Sequence, residues 1–356
     1  MLYGGRTSPT PPVVGTLTFT DSGQYDPDTT VGYNDIVSIS LHNVAPPQAG
    51  KAYFAWLMPD QGDDTTVIVL LGRLSVNGGN ATLRYVSPEH TNLLVQYSGV
   101  RITEQSTDYE PNIPSPDTKT WRWEGWIPFT PTPGDKLKFS LLSHFRHLLA
   151  QESTLQANKL SGGLVIWMTR NVAKVDEWSG AAQGSWGDGD AELVHRHLIR
   201  ILDYLDGQAY VWKDVPEGSD WLVDPRAGKL GLLSYTQNQW PSGFLQHVDS
   251  HLTLLVNAPG HTEEQKRVAI QVDSVITRMI SDLEKVRTDA IQLTKRSYEE
   301  LLQPDGLTML NEMKTLTTEV NSGWFDAATG ANQGGVLWVS ARIQQLVTIS
   351  LAASHQ

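Results

Sequence analysis

The hydrophobic period of this chain changes once, and that change limits its fold more than any other feature. From Gly15 to Trp126 the apolar residues alternate or come in short β-branched runs. Stretches 16–20, 35–41, 52–57, 67–75, 81–85, 93–97 and 100–103 read as strands, with 121–126 as a further one. Asp-Pro, Pro-Pro, Asn-Gly-Gly and Ser-Pro punctuate them as turns. After Pro133 the apolar residues recur at helical spacing over 138–151, 162–182, 190–205, 242–256, 262–293, 307–320 and 335–353. Asp190 before Ala-Glu-Leu-Val, and Thr262 with Gln265, are helix starts. The predicted fold is α+β and multidomain: an antiparallel β-sandwich followed by an all-α helical bundle. The expected boundaries are a linker over 1–12, the sandwich over 13–132 and the bundle over 133–356, with the Pro/Gly-rich TPTPGDKL at 130–137 as the junction.

Charge and composition narrow the function. With 27 Lys+Arg against 39 Asp+Glu the net charge is −12, which disfavours a phosphate backbone as partner, so no nucleic-acid role is expected. The absence of cysteine excludes disulfides, thiolate metal sites and a cysteine nucleophile. No uninterrupted apolar run is long enough to span a bilayer, and the nearest, Gly334 to Ala353, is broken by Arg342, Gln344 and Gln345. We expect it to be a buried helix. The opening MLYGGRTSPTPP has no apolar core of a signal peptide, and a chain beginning in a linker is expected to follow a removed signal, anchor or domain.

Within the first half, Ala52-Tyr53-Phe54-Ala55-Trp56-Leu57, Leu71-Gly72-Arg73-Leu74, Asn92-Leu93-Leu94, Tyr97 and Val100-Arg101-Ile102-Thr103-Glu104 form a set of short motifs. They resemble the extracytoplasmic domain of anti-sigma-K factors over about 15–115. The resemblance implies a β-sandwich in the cell envelope or outside it, with no catalytic apparatus. The family's membrane span and sigma-binding helices have no counterpart here, and Gln105 follows Glu104 where a proline is common. The second half more weakly resembles an uncharacterised helical region of bacterial envelope proteins. Leu142 to Leu149, the His195/His197 helix ending in Leu205-Asp206-Gly207, and Leu230 to Leu233 before His247 carry that resemblance.

Six of the ten histidines fall on three predicted helices. His144 and His147 stand at i, i+3 and His247 and His251 at i, i+4, so each pair shares a helical face. His195 and His197 point apart, and only one of them can join a common site. Together with Glu192, which is spaced Glu-x-x-His from His195, they form a candidate interhelical metal or bis-His haem site. The simpler reading is hydrogen-bonded surface or half-buried histidines, because the di-iron motif occurs once and not twice. Asp188-Gly189-Asp190 lacks the later ligands of an EF-hand, so Asp190 is expected to cap the following helix. No Gly-x-Ser-x-Gly elbow, Walker loop, dinucleotide fingerprint or His-Glu-x-x-His occurs, and no enzyme activity is predicted.

Twelve tryptophans are the other resource, four in the first half and eight in the second. Trp121, Trp123 and Trp126 are expected either to seal the two domains together or to form a binding ladder. Trp178, Trp186, Trp212, Trp221 and Trp240 sit near loops, and Trp186 and Trp221 are the further contact candidates. The functional expectation is a non-enzymatic envelope or extracellular protein acting in sensing or protein–protein assembly, with a protein partner or self-assembly. No cofactor is expected under that reading, and the alternative is a metal- or haem-binding bundle.

Overall fold

The computed structural model describes residues 12–26 and 29–354. The predicted linker therefore lies, apart from Pro12, outside the described residues. The described residues form two compact units, one taking in those up to Pro128 together with 347–354, the other running from Phe129 to Leu346.

The first unit is one antiparallel sheet. Its strands are β1 (Val13–Thr20), β2 (Ile36–Leu41), β3 (Lys51–Pro59), β4 (Val69–Arg73), β5 (Ser75–Asn77), β6 (Asn80–Val86), β7 (Tyr97–Ser106), β8 (Trp121–Trp126) and β11 (Thr348–Ala353), in the order β4-β3-β7-β8-β11-β1-β2-β6-β5. The two ends of that order are consecutive in sequence. Residues 69–77 form one stretch that pairs with β3 through β4, bends at Leu74 and pairs with β6 through β5. The Leu74 N–H donates to the Tyr53 carbonyl at 2.9 Å, which holds the bend against β3. The sheet thereby nearly closes on itself like a barrel, an arrangement that covers edges which would otherwise invite pairing with other chains.

Both faces of β3 are buried. Ala52, Phe54, Trp56 and Met58 pack with Ile68, Leu70 and Trp126, and Tyr53, Ala55 and Leu57 are buried on the opposite face. The fully buried Trp56 donates its indole N–H to the Thr103 hydroxyl at 2.8 Å, so its one polar atom is satisfied.

Two strand and helix assignments need correction. Residues 93–97 are not a strand: Leu93–Val95 is a 3-10 turn started by the Asn92 side chain, which accepts from the Leu94 N–H, and β7 begins only at Tyr97. The predicted helix over 335–353 stops at Leu346, and its last residues become β11. Ile349 and Leu351 are buried while Ser350 between them is exposed. That alternation is a strand signal, too short beside the preceding helix to be told from its continuation.

Gly125 shows how closely β11 is fitted. A Cβ there would overlap the Ser350 carbonyl and the Ile349 side chain. Gly125→Val is therefore expected to lower stability by about 1–3 kcal/mol, the range for forcing atoms into a packed site. Urea unfolding followed by tryptophan fluorescence reads this, and a midpoint equal to that of the wild type would show that β11 does not need the space.

The second unit contains α1 (Leu141–Leu149), α2 (Ser153–Ala157), α3 (Leu164–Gly187), α4 (Ala191–Asp206), α5 (Phe244–Leu255), α6 (Glu263–Thr294), α7 (Tyr298–Leu301), α8 (Pro304–Ser322) and α9 (Gly335–Leu346), with a small hairpin of β9 (Trp324–Asp326) and β10 (Ala331–Gln333). Thr262 and Gln265 make a reciprocal capping box at the start of α6. Asp190 accepts from the Leu193 N–H at 2.9 Å, so this aspartate caps α4. Gly207 and Gly323, both at positive φ, end α4 and α8.

The segment 207–243 has no α-helix or strand, yet it is pinned along its length. Leu232 and Leu233 donate their N–H groups to the carbonyls of Tyr204 and Leu205 at 2.8 and 3.0 Å. The Asn171 amide donates to the Ala227 carbonyl at 2.8 Å. Asp203 accepts from the Leu222 N–H at 3.0 Å. From α6, Arg287 pairs with Asp206 at 2.5 Å and also with Asp214. These bonds satisfy backbone groups that an irregular segment cannot pair within itself.

Candidate histidine centre

Helix α1 starts where the Ser140 hydroxyl accepts from the Ser143 N–H. Leu141, Leu142, Phe145, Leu148 and Leu149 are buried along it, and the same face carries His144 inward. Helix α5 starts at Gly243, where a Cβ would overlap the Leu233 backbone, so glycine is what lets the helix begin so close to its neighbour. Phe244, Leu245, Val248, Leu252 and Leu255 are buried on α5 together with His247 and His251.

Four of the seven predicted ligand candidates meet here. The Nδ1 atoms of His144 and His251 are 3.0 Å apart, a hydrogen bond between residues 107 positions apart in sequence. The His251 ring lies 5.3 Å from that of His144, 5.0 Å from that of His147 and 5.2 Å from that of His247, which stacks on it at 21°. Phe139 stands edge-on to His144 and His147 at 5.6 and 4.7 Å. Its own position is fixed by Asp135, which accepts from the Phe139 N–H at 2.7 Å. The Nδ1 atoms of His147 and His247 are buried and have no hydrogen-bond partner among the described residues.

The environment keeps these rings neutral. Burial, helped by the neighbouring His147, lowers the His144 pKa to about 4. Burial also lowers His147 and His247, and the nearby Glu152 carboxylate partly opposes it in both. His251 is lowered most, by burial and then by the three other imidazoles. Neutral imidazole is the form that binds metal. Among the described residues, however, no group of three histidine, cysteine or carboxylate side chains already stands where it could hold a metal ion.

The other three candidates lie elsewhere on α4. His195 bonds through Nε2 to the Thr294 carbonyl at 3.0 Å. His197 stacks on Trp178, ring centroids 5.4 Å apart, and its Nδ1 accepts from Arg200 at 2.9 Å. Glu192 is exposed in the first turn. Phe139, Asp135 and Glu152 were not singled out in the sequence. Glu152 alone carries a local signal there, as the acidic residue before Ser-Thr that caps α2 and accepts from the Leu155 N–H at 3.0 Å.

The tryptophan candidates are mostly engaged. Trp121 donates to the Ser115 carbonyl at 2.8 Å beneath the Arg101 guanidinium, 3.5 Å from its ring centre. Trp123 meets Tyr53 edge-on at 4.9 Å, and Trp126 covers Gly99. The break in strand alternation falls between Trp121 and Trp123, and Gly125 pairs in regular register with Val100. Trp186 donates to the Leu301 carbonyl at 3.1 Å, and Trp221 leans on Trp212 at 6.2 Å. Trp212 and Trp240 are exposed, Trp240 the more so at 75%, with its ring 6.1 Å from that of His247.

Among the described residues of the sheet unit, a serine–histidine–aspartate contact occurs at Ser22, His90 and Asp35. Asp35 and the Ser22 hydroxyl meet His90 at 2.6 and 3.3 Å, but both on Nδ1. A relay needs the two ring nitrogens to serve different partners, so this group ties loops together. Compared with known proteins, the chain matches no family model, and no curated protein or solved structure is similar to it.

Proposed function

We propose that the protein is a non-enzymatic sensor whose responsive element is the histidine centre and whose signal is a divalent transition-metal ion. The observation that carries this reading is the delivery of four imidazoles from α1 and α5 into one cluster, with two buried Nδ1 atoms left unpartnered. A buried polar nitrogen without a partner is destabilising unless something else meets it. With imidazole donors and no thiolate, the ions that suit the set are zinc, nickel and copper(II). His147 and His247 must turn to bring their nitrogens to a common point, so ion uptake and a rearrangement of the ring cluster between α1 and α5 are one event. That differential between two arrangements is what a sensor requires. The rings already touch one another, which leaves no flat slot between them for a haem and confines the reading to an ion.

The envelope or extracellular location, assembly with a protein partner, and the description of the first unit as a β-sandwich belong to the same proposal; the location rests on the anti-sigma-K resemblance, the sandwich also on the spacing of its short strands, and the assembly on the sandwich edge and loop tryptophans. Recovery of the native protein from the cytosolic fraction would remove the location. The ion reading is tested by calorimetric titration of chelator-treated protein with zinc and nickel chloride at pH 7.5. One ion per chain is expected, with at least about a hundredfold weaker binding in His247→Ala/His251→Ala, each of the two lost ligands removing more than the ~1.4 kcal/mol that a factor of ten represents. No uptake, or equal uptake by a folded double variant, would end the proposal.

A further inference from the structure

The helical unit also holds an open cavity of about 460 Å³ between α2 and the pinned 207–243 segment. Its apolar wall is Ala157, Ala209, Leu230 and Pro241, and Thr154 and Lys229 are among its polar lining. Lys229 is exposed, and among the described residues no carboxylate pairs with its ammonium. No aspartate or glutamate lines the cavity. Concave apolar space with a single unpaired charge at its wall is the usual form of a small-molecule site. An apolar cavity of about 150 Å³ holds a benzene-sized molecule, so this one takes a body about three times as large.

We propose that this cavity binds an amphipathic monocarboxylate, its hydrocarbon body against Ala157, Ala209, Leu230 and Pro241 and its carboxylate on Lys229. The charge decides the class: an apolar wall alone would favour any hydrocarbon, whereas a cation with no internal partner favours an anion by a charge-assisted hydrogen bond. The site adjoins the histidine centre on two sides. The Thr154 hydroxyl donates to Glu152, the carboxylate that acts on His147 and His247. Pro241 follows Trp240, whose ring lies tilted 6.1 Å from that of His247. A ligand seated here therefore meets Thr154 and Pro241, the immediate neighbours of Glu152 and Trp240, but its binding does not depend on the ion.

The experiment uses full-length chelator-treated protein, so that failure of the ion reading leaves it intact. Calorimetric titration compares octanoate, 1-octanol and acetate. Octanoate is expected to bind saturably at one per chain, octanol at least about tenfold more weakly, and acetate without measurable heat, because it lacks the apolar body. Lys229→Ala should bring octanoate down to the affinity of octanol. Ala209→Trp or Ala157→Phe, both at exposed positions where folding is spared, should abolish uptake of either. Absence of saturable octanoate binding, octanol binding as tightly as octanoate, or uptake unchanged in the filled variants would each overturn the proposal.

Discussion

Deletion of residues 347–356 is expected to dismantle the sheet unit, although it removes only the end of the chain. Strand β11 lies between β8 and β1, pairing with β1 from Thr18↔Thr348 to Val13↔Ala352 and with β8 at Ala352↔Glu124 and Ala353↔Trp123. Without it the hydrogen-bonded order falls into β4-β3-β7-β8 and β1-β2-β6-β5, joined through the bent stretch 69–77 and the loops 42–50 and 87–96. Ile349 and Leu351 are essentially fully buried, as is Val347 before them. Burial of a large aliphatic side chain contributes about 1.5–3 kcal/mol, so the three together account for roughly 4–9 kcal/mol. That is comparable with the whole stability of an ordinary domain, about 5–15 kcal/mol. Two newly opened strand edges would add a tendency to aggregate. The truncated protein should lose the cooperative unfolding transition of the sheet unit and show early proteolysis within 13–126. A transition like that of the full chain would show that the sheet does not need its last strand.

The second large effect is a pH dependence set by Asp203. This carboxylate is 1% exposed, one of its oxygens has no hydrogen-bond partner among the described residues, and burial raises its pKa to about 7. A carboxyl raised in the folded state contributes stability that is complete below its unfolded pKa near 4 and is lost as pH rises through 7. A shift of about three pKa units corresponds to at most about 4 kcal/mol. Asp206 has the same sign, its pKa also raised to about 7 by burial against the opposing pull of Arg287. Asp203→Asn should keep the bond from the Leu222 N–H while removing the charge. Its stability should fall less between pH 4.5 and 8 than that of the wild type, and at pH 8 it should be the more stable by roughly 1–3 kcal/mol, the unpaired amide offsetting part of the gain. Denaturant midpoints over that pH range check this, and parallel curves for the two proteins would contradict it.

The parts of the fold that were legible in sequence are those decided locally. Strands β2 and β6 show through their alternation and β3 through its continuous apolar run, and the Thr262/Gln265 box and the Asp190 cap mark helix starts within four residues. Strand β11 was not legible, because Thr348–Ala353 follows directly on a helix and becomes a strand only through β1 and β8, which lie far away in sequence. At the candidate site, the spacing of His144/His147 and of His247/His251 put each pair on one helical face. Spacing could not say which helices meet: α4, equally rich in histidine, turns His195 to the end of α6 and His197 to Trp178. Phe139 falls inside the stretch 138–151 that reads as helical, yet it precedes α1 and is positioned by Asp135, a tertiary arrangement that the period does not carry.

The central claim is that four imidazoles from α1 and α5 form one ion-binding centre. X-ray absorption at the zinc edge of the zinc-loaded, full-length protein tests it most directly. The account predicts a shell dominated by nitrogen at about 2.0–2.1 Å with imidazole outer-shell scattering, reduced in His144→Ala and His247→Ala alike. An oxygen-dominated shell, or a spectrum that neither substitution changes, would contradict it.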